Sequence, residues 1–144
     1  MGFLSWFKNN LNEEESTGSQ LDLLGESKNL PERRRVDGVT VRKKFNKTIQ
    51  DKGGSGRCQA RSTEALTQEV LGCSTKDLYE ATGAKQSKRE TLPDTAQEAL
   101  MTGEIVATHD LKGKDVRGNQ SQRNTQIEDS VRASGKKVRK WFPW

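Results

Sequence analysis

The segment STEALTQEVLGCSTKDLYEATG, residues 62–83, decides the fold that the sequence predicts. It opens as a helix that Gly72 stops, since glycine is the residue most often found just past a helix C-terminus. Ser74 then begins a second helix as its N-cap, with Asp77 three residues later, and Gly83 ends that helix. The sequence therefore predicts two short helices joined by a tight glycine turn.

This pattern resembles the helix-turn-helix of transcription factors and resolvases, in which a Leu-Gly-x-Ser-x-x-x-Leu-Tyr core joins a supporting helix to a recognition helix. The matching residues are Leu71, Gly72, Ser74, Leu78 and Tyr79. The resemblance implies that the second helix presents its first turns to the major groove of DNA. The residues expected at the DNA are Ser74, Thr75, Lys76, Tyr79, Lys85, Lys88 and Arg89.

The interior of the helix pair is predicted to contain Leu71, Cys73, Leu78 and Ala81. Two acidic residues of the second helix, Asp77 and Glu80, would face phosphate in a DNA complex and oppose binding. A plain helical hairpin that uses the same glycine stop is therefore the alternative to a DNA-reading pair.

Downstream of the pair, residues 91–142 carry two longer helical patterns. Pro93 stands where the first turn of a helix tolerates proline. The apolar stripe that follows consists of Ala96, Ala99, Leu100, Gly103, Val106, Ala107 and Leu111. Met101 and Ile105 fall on the other side of this helix and suggest a contact with another helix or with a second copy of the chain.

The last helix is expected to end at Pro143. Its predicted buried stripe consists of Ile127, Val131, Ser134, Val138, Trp141 and Phe142. The aromatic tail that closes the chain at Trp144 is expected to fill a groove of the fold rather than to stack on bases. Together these patterns predict a small all-α helical bundle over residues 61–144.

Upstream of the pair, VDGVTVRKKFNKTIQDKGGSGR (residues 36–57) predicts a tight turn at Asp37-Gly38 and then a helix. The apolar side of that helix consists of Val41, Phe45 and Ile49. Gly53 and Gly54 are expected to end it, and the glycines around Ser55 then predict a flexible hinge rather than a phosphate-binding loop.

Part of this stretch, KKFNKTIQDKGG (residues 43–54), resembles a segment found late in the bacterial DNA-damage-inducible protein D family, where a basic helix ends in Thr-Ile-Gln and a Gly-Gly pair. The matching residues are Lys44, Thr48, Ile49, Gln50, Gly53 and Gly54. The resemblance implies a bacterial or phage context and no particular activity.

Residues 1–11 are predicted to form a short amphipathic helix. Its apolar side consists of Phe3, Leu4, Trp6, Phe7 and Leu11. A helix this short is marginal alone in water, so this side is expected to dock on the protein's own body or on a partner protein, with a membrane surface less favoured. Residues 12–60 are predicted to be a flexible, largely disordered and partly helical linker region, in which LDLL (residues 21–24) is a candidate docking peptide.

The composition limits the function classes. Of 144 residues, 30% are apolar and 31% charged. No run of about 18 apolar residues is present to span a membrane, and the first residues lack the features of a signal peptide, so we expect a cytoplasmic protein. Cys58, Cys73 and His109 stand apart, without the spacing of a metal site, and no catalytic motif is present. We therefore expect a non-enzyme with no metal and no cofactor.

The charge distribution gives two hypotheses. The chain has a net charge of +5, and because residues 1–35 carry five basic and six acidic side chains, the positive excess lies in the remainder. The leading hypothesis is a small non-catalytic protein of bacterial or phage type that binds double-stranded DNA through the helix-turn-helix-like pair, while basic clusters hold the DNA backbone. These clusters are Arg42, Lys43 and Lys44, then Lys85, Lys88 and Arg89, then Lys136, Lys137, Arg139 and Lys140. The rival is a helical adaptor that binds a protein partner through residues 1–30.

Overall fold

The computed structural model describes residues 2–10 and 30–144, and for residues 30–36 it describes the backbone alone. Every regular element in this part of the chain is helical, which confirms the predicted all-α fold. Leu11 and the linker residues 12–29, with their LDLL cluster and predicted disorder, lie outside the described residues.

Six α-helices make up the described part of the chain. They are α1 (residues 3–10), α2 (Leu30–Asp51), α3 (Gly56–Leu71), α4 (Thr75–Thr82), α5 (Asp94–Lys112) and α6 (Gln120–Arg139). One turn of 3-10 helix, Arg89–Thr91, lies between α4 and α5. None of these helices is long and apolar enough to cross a membrane. The predicted boundary between residues 60 and 61 falls inside α3, and α1 and α2 contribute to the same hydrophobic core as the later helices.

The turn between α3 and α4 has the predicted geometry. Gly72 ends α3 with φ of 72°, and its N–H donates to the Gln68 carbonyl at 2.9 Å. Ser74 caps α4, because its hydroxyl accepts from the Asp77 N–H at 3.2 Å. Gly83 ends α4, also with φ of 72°. Glycine suits both positions because a side chain is strained at positive φ.

α2 is longer than the sequence predicts. It begins at Leu30 and continues through Asp37 and Gly38, so the prediction of a tight turn at those two residues is wrong. One glycine inside a helix costs about 1 kcal/mol. Phe45 and Ile49, both fully buried, each contribute about 1.5 to 3 kcal/mol by their burial, which outweighs that cost.

Gly53 and Gly54 end α2 as predicted, but they do not form a flexible hinge. Gly53 has φ of 89°, and its carbonyl accepts from Nε of Arg123 at 3.2 Å. A β-carbon on Gly54 would lie 2.5 Å from Cγ2 of Ile49 and 3.0 Å from Cδ1 of Ile127. The hinge prediction is wrong because this close packing, which only glycine allows, holds the turn against α6.

The two predicted apolar stripes form the centre of the bundle. The buried residues of the α5 stripe are Ala96, Ala99, Leu100, Gly103, Ala107 and Leu111, and Val106 is half-buried. The buried residues of the α6 stripe are Ile127, Val131, Ser134 and Val138. Gly103 allows α5 to approach α3, because a β-carbon there would lie 3.2 Å from Leu66 and from Val70. Ile105 is exposed and Met101 is half-buried, so the predicted second surface of α5 is open at Ile105.

α2 and α5 run in the same direction. Arg42, in the middle of α2, borders a cavity together with Gln97 and Met101 from the first half of α5. Lys52, just past α2, donates from Nζ to the Lys114 carbonyl at 2.7 Å, beyond the end of α5. The loop that leads into α5 therefore lies beside the middle of α2.

The two ends of the described chain meet in one aromatic cluster. The ring of Phe3 in α1 contacts Trp144 edge-on with centroids 5.0 Å apart, and Phe142 stacks on Trp144 at 4.9 Å. Nε1 of Trp144 donates to the Val70 carbonyl at 2.7 Å. The prediction that the tail fills a groove therefore agrees with the position of Trp144.

The end of α6 departs from the prediction. The helix stops at Arg139 rather than at Pro143, because the chain turns inward to place Trp144 in the aromatic cluster. Trp141, which the sequence predicts on the buried stripe, is 61% exposed as a result. Phe142 is half-buried.

Candidate nucleic-acid interface

α4 is the element that the sequence predicts to read DNA, and both of its sides are partly covered. Leu78 is fully buried as predicted, but Tyr79 is only 6% exposed, so its predicted place on an open DNA-reading surface is wrong. The reason is that this short helix has α3 on one side and the loop after α4 on another. Leu78 and Tyr79, which are consecutive, are therefore both buried. Ala81, predicted inside, is exposed, whereas Cys73 is half-buried.

Groups within the protein occupy the amides at the start of α4. Besides the Ser74 cap, a carboxylate oxygen of Glu64 in α3 accepts from the Thr75 N–H at 3.2 Å. A helix N-terminus is otherwise a place where backbone N–H groups hold a phosphate. Ser74, one of the predicted DNA contacts, therefore serves as a cap, and the Glu64 carboxylate adds negative charge at this end of α4.

Arg89, another predicted contact, forms an ion pair inside the protein. Its Nη1 donates to Oε1 of Glu104 at 2.5 Å, and the two side chains are 15% and 1% exposed. Burial raises the pKa of the Glu104 carboxyl, while the charge of Arg89 acts in the opposite direction. The guanidinium of Arg89 is therefore held in a fixed position and is not an open surface charge.

A polar cavity of about 250 Å3 lies between α2, α3, α4, α5 and the loop after α4. Its lining residues are Arg42, Thr63, Thr67, Thr75, Leu78, Tyr79, Gln86, Ser87, Arg89 and Leu100. Three predicted contacts, Thr75, Tyr79 and Arg89, thus meet at one place. A smaller cavity of about 50 Å3, with Val39 in its wall, shares Arg42 and Arg89 with it.

The predicted lysines are sequence neighbours of residues that line this cavity, but none of the three lines it. Lys76 follows the lining residue Thr75, and Lys85 and Lys88 flank the lining residues 86–87. All three lysines are exposed, and their side chains form no hydrogen bond or ion pair with the part of the chain that the structure describes.

Arg42 belongs to a predicted basic cluster but is not among the residues predicted to contact DNA beside α4. It is exposed, it borders both cavities, and its side chain is likewise unpaired among the described residues. The basic run at residues 42–44 signals a charged helix face, but nothing in the sequence places that helix beside α4. We call Arg42, Lys76, Lys85 and Lys88 the basic rim.

The residues predicted to bind a protein partner are used inside the protein. Phe3 is fully buried, and Leu4, Trp6 and Phe7 are half-buried. The ring of Trp6 lies 5.3 Å from that of Trp144, measured between centroids. The short helix therefore docks on the protein's own body, which is one of the two options that the sequence left open. In this position Phe3 is not accessible to a partner.

The cysteines and the histidine are not gathered at one place. Cys58 is buried and Cys73 half-buried, while His109 is exposed, and no group of three metal-ligating side chains occurs among the described residues. Burial raises the pKa of the Cys73 thiol to about 11, and the nearby carboxylates of Asp77 and Glu64 raise it as well. A thiol with this pKa is almost entirely protonated at neutral pH, which makes it a poor nucleophile.

No family model matches this sequence, and no curated protein is significantly similar to it. The geometry of the polar cavity and its basic rim is therefore the basis on which a function is inferred.

Proposed function

We propose that this chain is a non-catalytic DNA-binding protein of the cytoplasm, of bacterial or phage type, which holds the DNA backbone with its basic rim. The observation that carries the proposal is a set of four exposed cationic side chains on three separate elements, of which Arg42 lines the cavity and the three lysines are sequence neighbours of its lining residues. Unpaired surface cations of this kind attract phosphate and release counterions when they bind it.

The proposed contact is with the sugar-phosphate backbone rather than with base edges. Tyr79 is buried and Ser74 serves as a cap, so two of the residues that would read bases are otherwise engaged. Asp77 and Glu80 are exposed on α4, and their carboxylates oppose insertion of this helix into a groove. Backbone contacts give affinity without sequence preference, so the proposed binding is non-specific.

Salt dependence gives the sharpest test. Four phosphate contacts correspond to a slope of about −3.6 in a plot of log affinity against log salt. Between about 50 mM and about 200 mM salt, the affinity for a duplex should therefore fall about 150-fold. Fluorescence anisotropy with a labelled duplex of random sequence measures this directly. Absence of binding at low salt would overturn the proposal.

A pair of double variants separates the basic rim from overall charge. Lys76→Glu with Lys88→Glu leaves two rim cations, so the same rise in salt should weaken binding only about 12-fold, from a weaker starting affinity. Lys47→Glu with Lys112→Glu makes the same charge change at exposed positions that are not sequence neighbours of any lining residue, and it should keep the wild-type slope. Equal behaviour of the two double variants would contradict a role for the rim.

A further inference from the structure

The polar cavity has a lining suited to a ligand of its own. Besides Arg42 and Arg89, its wall contains the hydroxyl side chains of Thr75, Tyr79 and Ser87. Hydroxyl and guanidinium groups are all able to donate hydrogen bonds. A cavity with several converging donors and an excess of positive charge is built to receive an anion.

The hydroxyl of Tyr79 is the most telling of these donors. The residue is only 6% exposed, yet its hydroxyl forms no hydrogen bond with the part of the chain that the structure describes. Every fully buried side-chain polar atom among the described residues has a hydrogen-bond partner. Because the Tyr79 hydroxyl has none, it is not fully buried, and it is accessible through the cavity. A donor that faces an accessible cavity and has no partner within the protein is available to a bound acceptor.

Two cations and two anions lie near Tyr79, but only the cations line the cavity. Arg42 and Arg89 are in its wall, whereas Glu104, which pairs with Arg89, and Glu90 are not. Burial raises the pKa of Tyr79, while both arginines act to lower it. The phenol therefore remains a neutral O–H donor at physiological pH, placed close enough to both guanidinium groups to feel their charge.

The loop that completes the cavity is held in an unusual backbone conformation. Ser87 has φ of 65°, and it is the one residue other than glycine with positive φ in the described part of the chain. A left-handed serine is strained, and such strain often occurs where a loop shapes a binding site. Here it places Ser87 and Gln86 in the cavity wall beside Arg89.

We propose that this cavity binds the phosphate group of a phosphate monoester. Two guanidinium groups, three hydroxyls and the amide of Gln86 offer more donors than the two oxygens of a carboxylate can satisfy, whereas a terminal phosphate presents three acceptor oxygens. A volume of about 250 Å3 leaves room for the phosphate and the adjoining sugar. A free mononucleotide and the 5′-phosphate of a nucleic-acid strand share this chemistry. The proposal does not depend on binding of duplex DNA, because it rests on the cavity wall.

Titration calorimetry on the full chain tests the site with two probes, inorganic phosphate and 5′-dAMP. Both should bind, and Arg42→Gln should weaken them by about tenfold or more, since a hydrogen bond to a charged group is lost. Arg42 is exposed, so its replacement leaves the core unchanged. Lys43→Gln, the matched control, removes the same charge from the next residue, which does not line the cavity, and it should leave both affinities unchanged.

Tyr79→Phe provides a second variant that keeps the buried ring and removes only the hydroxyl. It should weaken 5′-dAMP by about tenfold, because the anion loses one donor. Binding of 5′-dAMP should also strengthen between about pH 5.5 and about pH 7.5, as the phosphate takes its second charge near pH 6. An unchanged affinity in Tyr79→Phe would overturn the assignment of this residue to the site and, with it, the proposal.

Two single-stranded oligonucleotides of identical sequence, one with a 5′-phosphate and one with a 5′-hydroxyl, identify the source of the phosphate. A strand end is supported if the phosphorylated strand binds more tightly than both the 5′-hydroxyl strand and 5′-dAMP. A free nucleotide is supported if the phosphorylated strand binds no more tightly than 5′-dAMP. If neither inorganic phosphate, 5′-dAMP nor the phosphorylated strand binds in an Arg42-dependent manner, the proposal is wrong, whatever the affinity for duplex DNA.

Discussion

Replacement of Trp144 by alanine should remove a large part of the stability of this protein. The residue is 9% exposed, and a buried tryptophan removes up to about 250 Å2 from water, equivalent to about 6 kcal/mol. Substitutions of buried tryptophan by alanine cost about 3 to 5 kcal/mol, so we expect a loss of about 4 kcal/mol. Native domains have free energies of unfolding of about 5 to 15 kcal/mol, so the variant should be only marginally folded.

Urea denaturation followed by far-UV circular dichroism measures the change without relying on tryptophan fluorescence, which the substitution itself alters. Trp141→Ala is the matched control, because Trp141 is 61% exposed and its loss should cost about 0.5 kcal/mol or less. Trp144→Phe keeps most of the buried area but removes the donor to the Val70 carbonyl, and should cost about 1 to 2 kcal/mol. Equal stability of the two alanine variants would refute the argument that the chain ends are held together by Trp144.

Two further predictions concern the turn after α2 and the thiol beside α4. Gly54→Ala should destabilise the protein by about 1 to 3 kcal/mol in the same urea assay, because its β-carbon would meet Ile49 at 2.5 Å. Gly56→Ala, with no atom within 4 Å of its β-carbon, should be neutral or stabilising, and a similar loss in both variants would contradict the packing argument. The pKa of Cys73, about 11 against an ordinary 9.0, should make its alkylation by iodoacetamide at pH 8 about 100-fold slower than that of an exposed thiol. Its rate, followed by peptide mass spectrometry, should rise about tenfold for each pH unit up to pH 10, and rapid alkylation at pH 8 would contradict the buried position.

The elements of the bundle that follow simple local rules could be predicted from the sequence. Gly72, Ser74 and Gly83 set the limits of the two short helices by their backbone preferences, and the structure keeps all three limits. The apolar stripe of α5 was likewise readable from its helical spacing. Local rules failed at Gly38, where burial of one side of α2 outweighs a turn signal. They also failed at Trp141, which is exposed because the chain turns to bury Trp144.

The candidate site could be predicted only in part. Three of the DNA contacts expected from the helix-turn-helix resemblance, Thr75, Tyr79 and Arg89, line the same cavity. Arg42 was missed because its approach to α4 depends on how α2 packs along α5, which no local pattern encodes. The burial of Tyr79 was not predicted for a related reason, since it depends on the path of the loop after α4.

The position of Arg89 in the cavity wall depends on its ion pair with Glu104 and not on the spacing of apolar residues. Desolvation of two charges offsets most of their attraction, so replacement of such a pair by apolar residues is often neutral or stabilising. What the pair supplies is position: Glu104, at 1% exposure, fixes one end of the guanidinium and leaves its other N–H groups for the cavity. The loop before Arg89 is closed by polar bonds as well, since the Lys85 N–H donates to Oγ1 of Thr91 at 2.9 Å. Polar contacts of the loop and of Arg89 thus support the wall of the cavity, and the spacing of apolar residues in the sequence does not reveal them.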